Sequence, residues 1–297
     1  MPNLYNSENF TRIMKRRVTF NLDAALVEKL EASVDGKQLR NLSHAAEFYL
    51  SHALELKSVR HGVILAGGKG TRLAPLTNEI PKPLVPIHDK PIMEHVIELY
   101  RMNGIEDIIV IVAYKAEKII KHFGDGAKYG VRLSYAVEEE RGGTAGALRA
   151  AKHMINGTFV MSNCDELKDV PIRSMISFHR KHAAKGTIAL TSVDDPSAYG
   201  VARMDGERII EFVEKPSRED APTNLINAGL YILDRTILDY VPDQGFSQIE
   251  TDVFPKLAAE GVLYGYHFPG QWFDTGTFER YEEALTQWRG FRIANGE

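Results

Sequence analysis

A glycine-rich turn follows an apolar run in the first third of the sequence. Val63-Ile64-Leu65-Ala66 leads directly into Gly67-Gly68-Lys69-Gly70-Thr71-Arg72. Glycines let backbone N–H groups close on a phosphate, and Lys69 and Arg72 would add positive charge beside it. The turn lacks the Lys-Ser/Thr of a Walker A loop, and Leu73 stands where a dinucleotide fingerprint has its third glycine. We interpret it as a candidate phosphate site of another kind, with an ordinary tight turn as the alternative.

A lysine held between two prolines, Pro81-Lys82-Pro83, follows this turn along the chain. Proline restricts its own φ and disfavours helical backbone in the residue before it. We therefore expect Lys82 to be presented from a stiff, extended segment, as a fixed cation would be. Together with the glycine-rich turn, this lysine indicates a site that handles phosphate.

These residues lie within a pattern of alternating strands and helices that begins near Val59. The pattern predicts strands at 63–66, 107–113, 131–137 and 158–162, and helices at 91–102, 117–123 and 144–153. Repeated βα units predict an α/β fold with a mostly parallel sheet and helices on both faces. Later strand-like segments, at 187–193, 208–214 and 225–232, have fewer helices between them and predict a mixed-sheet region.

Composition and charge exclude several classes of protein. A chain of 297 residues, 44% hydrophobic and 26% charged, is neither a collagen nor a largely disordered chain, and its length suggests about two domains. The net charge of −4 gives no global attraction to nucleic acid. The single cysteine, Cys164, cannot form an intrachain disulfide, and Met1–Asn9 is polar. We expect a cytoplasmic protein without a membrane span.

The glycine-rich turn belongs to a longer pattern that resembles a known enzyme family. Leu65-Ala66-Gly67-Gly68-x-Gly70-Thr71-Arg72-Leu73-x-Pro75-Leu76-Thr77, then Pro81-Lys82-Pro83-Leu84-x-Pro86, is similar to sugar-phosphate nucleotidyltransferases, the nucleoside-diphosphate-sugar pyrophosphorylases. Further matches follow in family order: Gly143-Thr144-Ala145-Gly146, Asn163-Cys164-Asp165, Tyr199-Gly200-Val201, Glu214-Lys215-Pro216, Asn227-Ala228-Gly229 and Trp272-Phe273-Asp274-Thr275-Gly276-Thr277. The resemblance covers about 240 residues and implies a Rossmann-like nucleotide-diphospho-sugar transferase fold.

The resemblance implies a reaction in which an NTP and a sugar 1-phosphate give an NDP-sugar and pyrophosphate. Asp165 and Asp274 would hold Mg²⁺, a hard ion that favours carboxylate and phosphate oxygens. Arg72 would stabilise the departing phosphates, Lys82 the developing charge, and Lys215 the incoming sugar phosphate. The reaction needs no general base, because a phosphate monoester is already ionised at pH 7.

The resemblance also assigns residues to the two substrates. The nucleotide residues are Leu65, Ala66, Gly67, Gly68, Gly70, Thr71, Glu138, Gly143 and Thr144, and the sugar residues are Tyr199, Gly200, Glu214 and Asn227. Glu138 would suit the N–H groups of guanine, but relatives that handle uridine also carry glutamate there, so the base stays open. Gly142 and Phe278 depart from the family pattern, at positions that affect specificity more than chemistry.

Alternatives remain for single residues and for the whole protein. An aspartate at a strand end is often a cap or turn residue, and a lone lysine is usually solvated. The fold could serve a DNA-binding regulator that senses a nucleotide or sugar, or an enzyme acting on a phosphorylated alcohol. The set of charged residues favours catalysis, and Asn227-Ala228-Gly229 with Tyr199-Gly200 favours a sugar.

The first 57 residues follow a different pattern. Arg12 to Leu22 contains four basic residues and no acidic residue, and its apolar positions alternate with Arg17, Thr19 and Asn21 as in a strand. Asp23 is a candidate N-cap for a helix that Gly36 ends, and a second helix is predicted to begin at Asn41 or Ser43. A lone strand with two short helices has too little material for its own core, so we expect it to pair with a second copy.

This segment, from about Lys15 to Leu56, resembles the ribbon-helix-helix DNA-binding domain. The resemblance implies a homodimer in which strands from two chains enter the major groove of operator DNA. Arg17, Thr19 and Asn21 would then face bases. A module that only dimerises is the alternative. We expect residues 1–57 to form this module and residues 58–297 to form the nucleotidyltransferase domain.

Overall fold

A mixed nine-stranded sheet forms the centre of the larger of two units into which the chain divides. The units are Met1–Ala53 and Leu54–Glu297. The structure is a computed structural model that describes residues 19–34, 41–56, 59 and 61–291. Across these residues, no helix is both long and apolar enough to cross a membrane.

Two helices follow the basic N-terminal run, α1 (Ala24–Ala32) and α2 (Leu42–Leu56). Each is capped by a residue that the sequence marks for this role. A side-chain oxygen of Asp23, and likewise one of Asn41, accepts a backbone N–H of the first helical turn at 2.9 Å. These bonds satisfy donors that have no partner inside the helix. Both predicted helix starts are therefore confirmed, the second at Asn41.

The strand predicted before α1 lies partly outside the described residues. Arg17 and Val18 fall outside them, and residues 19–22 form no regular secondary structure in the single chain. One strand alone has no partner for its ladder hydrogen bonds. The ribbon-helix-helix module, and DNA contacts through Arg17, Thr19 and Asn21, therefore stay predictions.

The larger unit alternates strands and helices. Its strands are β1 (His61–Leu65), β2 (Pro86–Ile87), β3 (Lys90–Pro91), β4 (Asp107–Val112), β5 (Arg132–Val137), β6 (Phe159–Asn163), β7 (Glu166–Lys168), β8 (Gly186–Ser192), β9 (Gly200–Asp205), β10 (Arg208–Glu214), β11 (Leu225–Leu233), β12 (Leu263–His267) and β13 (Trp272–Asp274). Its helices are α3 (Leu76–Glu79), α4 (Ile92–Met102), α5 (Ala116–Phe123), α6 (Gly143–Ala151), α7 (Ile172–Lys181), α8 (Phe254–Ala259) and α9 (Phe278–Gln287), with a π-helix at Ile249–Val253.

The strand order of the main sheet is β5-β4-β1-β6-β11-β8-β12-β10-β9. The first four strands are parallel, whereas β11 runs antiparallel to both β6 and β8. The α/β fold is confirmed, with its parallel part in the first half of the unit and the expected mixed region in the second. Leu65, the last residue of β1, pairs with Asn163 of β6. This register brings the glycine-rich turn and the Asn-x-Asp motif to the same edge of the sheet.

Apolar side chains cover both faces of the sheet. Adjacent residues of β1 point to opposite faces, so Ile64 joins one buried cluster and Val63 joins another. The Ile64 cluster includes residues of α4, α5, α7 and α9, and the Val63 cluster includes residues of α6 and α8. The predicted placement of helices on both faces is confirmed, and the sheet is a rigid base for the loops at its edge.

A small two-stranded sheet lies beside this edge. Strand β7 pairs antiparallel with β13, with Glu166 opposite Asp274. The sequence predicted neither strand, since each has only three residues. The pairing carries Asp274 to the strand that directly follows Asp165, although the two acids are far apart in the chain.

Candidate active site

Two adjoining cavities open where β1 and β6 end. The larger cavity has a volume of about 540 Å³ and the smaller about 160 Å³. Arg72, Asn163 and Asp165 line both cavities. The cavities therefore meet at the glycine-rich turn and the Asn-x-Asp motif, and together they form one cleft.

The predicted nucleotide and sugar residues separate between the two cavities. Leu65, Ala66, Gly67, Gly68, Glu138, Gly143 and Thr144 line the larger cavity. Tyr199, Gly200, Glu214 and Asn227 line the smaller cavity. Of the predicted catalytic and metal residues, Lys82 lines the larger cavity, and Lys215 and Asp274 line the smaller. The fold thus brings both predicted sets to neighbouring parts of one cleft, and their binding roles stay predictions.

Gly70 and Thr71 line neither cavity. Gly70 has a left-handed backbone with φ +65°, and the Thr77 hydroxyl donates to its carbonyl at 2.8 Å. Thr71 begins a 3₁₀ turn, Thr71–Leu73, that carries Arg72 to the cleft. These two predicted nucleotide residues therefore shape the turn, because the backbone at Gly70 is one that few other residues adopt.

Lys82 is buried, with only 6% of the residue exposed. Its Nζ lies 2.9 Å from Oδ2 of Asp165. The backbone here is not the extended segment that we predicted, because Lys82 begins a 3₁₀ turn. Leu84 donates its N–H to the Pro81 carbonyl at 2.8 Å, and Val85 donates to the Lys82 carbonyl at 3.0 Å. These two hydrogen bonds outweigh the preference for extended backbone that Pro83 imposes on Lys82. The expected fixed cation is nevertheless present in the cleft.

The Asp165 carboxylate is stabilised by this ammonium group. Burial acts to raise the pKa of Asp165, but the Lys82 charge and hydrogen bond, with Lys168 and Arg72, lower that pKa overall. The side chain is still 39% exposed towards the cleft. Asp165 is therefore an ionised carboxylate with an open side, as a metal ligand must be.

Asp274 is held by two donors. The Gly276 N–H donates to Oδ1 at 2.7 Å, and Arg280 donates to Oδ2 at 2.5 Å. Arg280 also lies over the Tyr199 ring, 4.9 Å from its centroid. Sequence reasoning missed Arg280, which lies six residues after Asp274 and outside the family motifs. Its charge balances Asp274 within the smaller cavity.

The two aspartates of the cleft fit Mg²⁺ by their chemistry. Asp165 and Asp274 both line the smaller cavity, and carboxylate oxygens are ligands that Mg²⁺ prefers. Among the described residues, no group of three or more His, Cys, Asp or Glu side chains could hold a metal ion. Mg²⁺ usually binds through one or two carboxylates and takes its other ligands from water and substrate phosphates. The two acids therefore suit an ion that arrives with the nucleotide.

A buried ion pair lies beneath the two acids. Glu166 accepts from Lys168 Nζ at 3.1 Å and from the Trp272 indole at 3.2 Å. Burial raises the pKa of Glu166; Lys168 acts against this change, while Asp165 and Asp274 add to it. Sequence reasoning missed both members of the pair. Their only signal was their place directly after the Asn-x-Asp motif.

Gly229 of the Asn-Ala-Gly motif packs against Glu166. Its φ is +60°, and a Cβ there would lie 2.3 Å from Oε2 of Glu166. Lys168 donates to the Gly229 carbonyl at 2.7 Å. The neighbouring Asn227 donates to Tyr231 and accepts the Gly229 N–H, both at 2.9 Å. The motif therefore needs glycine because the Glu166 carboxylate approaches it closely.

The start of α6 forms one wall of the larger cavity. Gly143 has φ +80°, and a Cβ on it would lie 2.4 Å from the Ser247 carbonyl oxygen. That oxygen accepts the N–H groups of Ala145 and Gly146, each at 3.0 Å. Oε1 of Glu138 accepts the Gly142 N–H at 2.7 Å. Glu138 thus holds this turn with one oxygen and has the second for other contacts.

Glu250, on the π-helix, links a residue of the larger cavity to the smaller cavity. It lines the smaller cavity and accepts a 2.5 Å hydrogen bond from the hydroxyl of Thr144, which lines the larger. Burial raises the pKa of Glu250 to about 7; the Thr144 bond and Lys215 act against this rise, and Glu214 adds to it. Sequence reasoning missed Glu250, because the segment before α8 carried no motif that we recognised.

Replacing Glu250 with glutamine is expected to stabilise the fold at pH 8 and to change little at pH 4. A raised pKa means that the folded protein loses stability as the pH rises from about 4.5 to about 7. Glutamine does not titrate, so the variant avoids this loss. At pH 8 its free energy of unfolding should exceed that of the wild type by about 1 to 3 kcal/mol, a range that allows for screening by solvent in the open cleft. Urea unfolding at both pH values measures it. Equal stability of the two proteins at pH 8 would contradict the burial of a titrating carboxyl group.

Lys215 reaches the smaller cavity from a strained backbone. Its φ is +50°, and its N–H donates to the Tyr199 carbonyl at 2.9 Å. The side chain is 60% exposed and lies 2.9 Å from Oε1 of Glu214. Tyr199 packs edge-on against Trp272, with 5.3 Å between ring centroids, so Trp272 supports this wall from behind. An exposed cation beside packed aromatic rings suits an anionic group that enters from solvent.

The fold and the cleft define a nucleotidyltransferase-like α/β protein. The family model for nucleotidyl transferases matches residues 61–289. The chain therefore belongs to the nucleotidyl transferase family.

Curated relatives support this assignment. The chain is 41% identical over 222 residues to mannose-1-phosphate guanyltransferase 2 of Candida glabrata, covering 72% of this chain and 61% of that protein. It is 38% identical over 221 residues to mannose-1-phosphate guanylyltransferase of Mycobacterium tuberculosis, covering 73% and 61%. The chain thus spans about 61% of the length of these relatives.

Solved structures show the same fold. A UDP-glucose pyrophosphorylase complexed with UDP-glucose matches with a TM-score of 0.68 and 27% identity, over 77% of this chain and 97% of that one. HddC from Yersinia pseudotuberculosis, complexed with GMP-PN, matches with a TM-score of 0.66 and 31% identity, over 77% and 99%.

Proposed function

We propose that this protein is a Mg²⁺-dependent sugar-1-phosphate nucleotidyltransferase. An oxygen of the sugar phosphate attacks the α-phosphorus of an NTP, the bond from the α-phosphorus to the bridging oxygen breaks, and pyrophosphate leaves. The observation that carries the proposal is the single cleft, whose two cavities meet at Arg72, Asn163 and Asp165. A reaction between two anions needs one pocket for each and positive charge where they meet.

The cations of the cleft suit the three charged parts of this reaction. Arg72 lies at the junction and would stabilise the departing phosphates. Lys82 is buried beside Asp165 and would stabilise charge that develops at the α-phosphate. Lys215, exposed in the smaller cavity, would hold the incoming sugar phosphate. Mg²⁺ held by Asp165 and Asp274 would supply further charge neutralisation when it is bound.

We take GTP and mannose 1-phosphate as the first substrate pair, because the relatives that are 38–41% identical carry names with these substrates. The test is pyrophosphate release by the purified protein with Mg²⁺ and each of ATP, CTP, GTP, UTP and dTTP, against mannose 1-phosphate, glucose 1-phosphate and phosphocholine. Release with a sugar phosphate supports the proposal. Release with phosphocholine alone would favour the phosphorylated-alcohol alternative, and no release with any pair would contradict both.

We further propose that the N-terminal unit pairs two chains and binds DNA. Several large apolar side chains of this unit are exposed in the single chain: Phe20, Leu22, Leu26, Leu42, Tyr49 and Leu50. No residue of α1 is buried. Burial of exposed apolar side chains against a second copy lowers the free energy, so the unit suits a homodimer. The basic run from Arg12 to Arg17 would then attract the phosphates of operator DNA.

The double variant Phe20→Ser and Leu26→Ser, in the full-length chain, is expected to convert a dimer into a monomer and to abolish DNA retention. Both substitutions remove apolar surface that a partner would cover. Sedimentation velocity measures the mass, and mobility of a DNA duplex at several salt concentrations measures binding, which should weaken steeply with salt. Pyrophosphate release should persist, because the cleft lies wholly in the larger unit.

Lys29→Ser, a polar change on α1, the helix that also carries Leu26, is the matched control and should keep the mass of a dimer. A wild-type monomer would contradict the pairing. A dimer with no affinity for DNA, or with affinity that does not depend on salt, would leave a dimerisation module only. DNA binding without pyrophosphate release would instead favour a regulator whose transferase fold acts as a sensor.

A further inference from the structure

An exposed aromatic side chain stands at the rim of the larger cavity. Phe246 is 67% exposed and lines this cavity together with Gly143, Ala147 and Gln248. Isolated apolar residues are common on protein surfaces, so exposure alone means little. The place of this ring is the informative feature, since it faces the cavity lined by the residues assigned to the nucleotide.

The loop that carries Phe246 is held rigidly against the start of α6. Ser247 donates its N–H to the Gly142 carbonyl at 2.6 Å, and its own carbonyl accepts two N–H groups of α6 at 3.0 Å. Arg149 of α6 donates to the carbonyls of Gly245 at 2.6 Å and Pro242 at 2.9 Å. These bonds fix the backbone on both sides of Phe246. The backbone therefore needs no reordering to present the ring to the cavity.

The ring lies directly against the turn at the start of α6. A Cβ on Gly143 would be 3.2 Å from Cε2 of Phe246. Polar side chains with hydrogen-bonding capacity surround the same space, namely Glu138, Arg141 and Gln248. An apolar ring face with polar groups around it matches a nucleobase, which has a flat π-surface and a hydrogen-bonding edge.

We propose that Phe246 is a nucleotide-binding residue on which the base of the NTP stacks. This inference rests on the proposed function and adds the side chain that holds the base. Stacking acts on any base, and the larger ring system of a purine gains more contact than a pyrimidine. The contribution of Phe246 should therefore be larger for GTP than for UTP, and absent for inorganic triphosphate, which has no base.

The test is calorimetric binding to the full-length protein, with Mg²⁺ and without sugar phosphate. Phe246→Ala is expected to weaken GTP binding about tenfold, to weaken UTP binding less, and to leave inorganic triphosphate binding unchanged. Phe246→Tyr keeps the ring and should bind GTP as the wild type does. Ile210→Ala, which removes another exposed apolar side chain of the same unit, is the control and should change none of these affinities.

Three outcomes would overturn the inference. The first is equal GTP affinity of the wild type and Phe246→Ala. The second is an equal loss of affinity for inorganic triphosphate, which would show that Phe246 does not act through the base. The third is absence of nucleotide binding by the wild type. The first of these, in a wild type that releases pyrophosphate, leaves the proposed function intact. A wild type whose GTP binding depends on Phe246 but that releases no pyrophosphate would contradict the proposed function alone.

Discussion

The Asp165→Asn variant is expected to lose pyrophosphate release by about 10²- to 10³-fold in kcat. The substitution keeps the size of the side chain and removes the charge that faces both cavities. Removing one well-placed electrostatic group from an active site costs about this much. The variant also leaves the Lys82 ammonium, which is buried, without the carboxylate that lies 2.9 Å away. Initial rates at saturating NTP and sugar phosphate measure the effect.

The control for this variant is Asp107→Asn. Asp107 begins β4, at the opposite end of the parallel strands, and pairs with the exposed Arg132 at 2.5 Å. Exposed pairs of this kind contribute little to stability, so the variant should stay folded. Because Asp107 also lies away from the cleft, kcat should stay at the wild-type value. Thermal melting shows whether Asp165→Asn is still folded. A folded Asp165→Asn protein with unchanged kcat would exclude Asp165 as a metal ligand and would remove the basis of the proposed mechanism.

The Lys82→Met variant is expected to lower kcat by a similar factor, about 10²-fold or more, with a smaller change in KM. Methionine keeps much of the volume of lysine but lacks the ammonium group. If this group stabilises charge that develops only in the transition state, its loss acts on kcat. The fold should survive, because the freed Asp165 side chain is 39% exposed and water can solvate it. Separate kcat and KM values for each substrate give the result.

Lys90→Met is the matched control for this variant. Lys90 also pairs with a carboxylate, at 2.8 Å from Glu98, but it lies outside the cleft. This control should keep wild-type kcat and KM. A Lys82→Met variant that raises KM and keeps kcat would show that Lys82 binds substrate and transition state equally. That result would move Lys82 from a catalytic role to a binding role.

Most of the helices and strands around the cleft could be predicted from the sequence. Strand β1, helix α4 and strands β4, β5 and β6 lie within one or two residues of their predicted bounds. One detail differs at the start of α4, where Pro91 is the N-cap residue and lies just before the first turn. These elements have long apolar periodicities or clear start signals, which act between neighbours in the chain.

The candidate site was predicted only where it follows recognisable motifs. The motif residues around Asp165 and Lys215 line the cleft, whereas Glu166, Lys168, Glu250 and Arg280 were not anticipated. Lys168 and Glu166 balance each other inside the protein, and Glu250 reaches the cleft from the π-helix. Each of these side chains also has a partner distant in sequence: Thr144 for Glu250, Trp272 for Glu166, Gly229 for Lys168 and Tyr199 for Arg280. No local pattern marks such partners.

The sequence by itself determined the α/β class, the glycine-rich turn that follows the first strand and the identity of the charged motif residues. These properties depend on side-chain periodicity and on glycine and proline geometry, which a short stretch of chain contains completely. Only the tertiary structure decided which distant residues meet. The pairing of β7 with β13 places Asp274 beside the strand after Asp165, and hydrogen bonds of Ser247 hold the loop that carries Phe246 at the larger cavity. Such long-range contacts depend on strand register and loop conformation, which are set by packing across the whole unit.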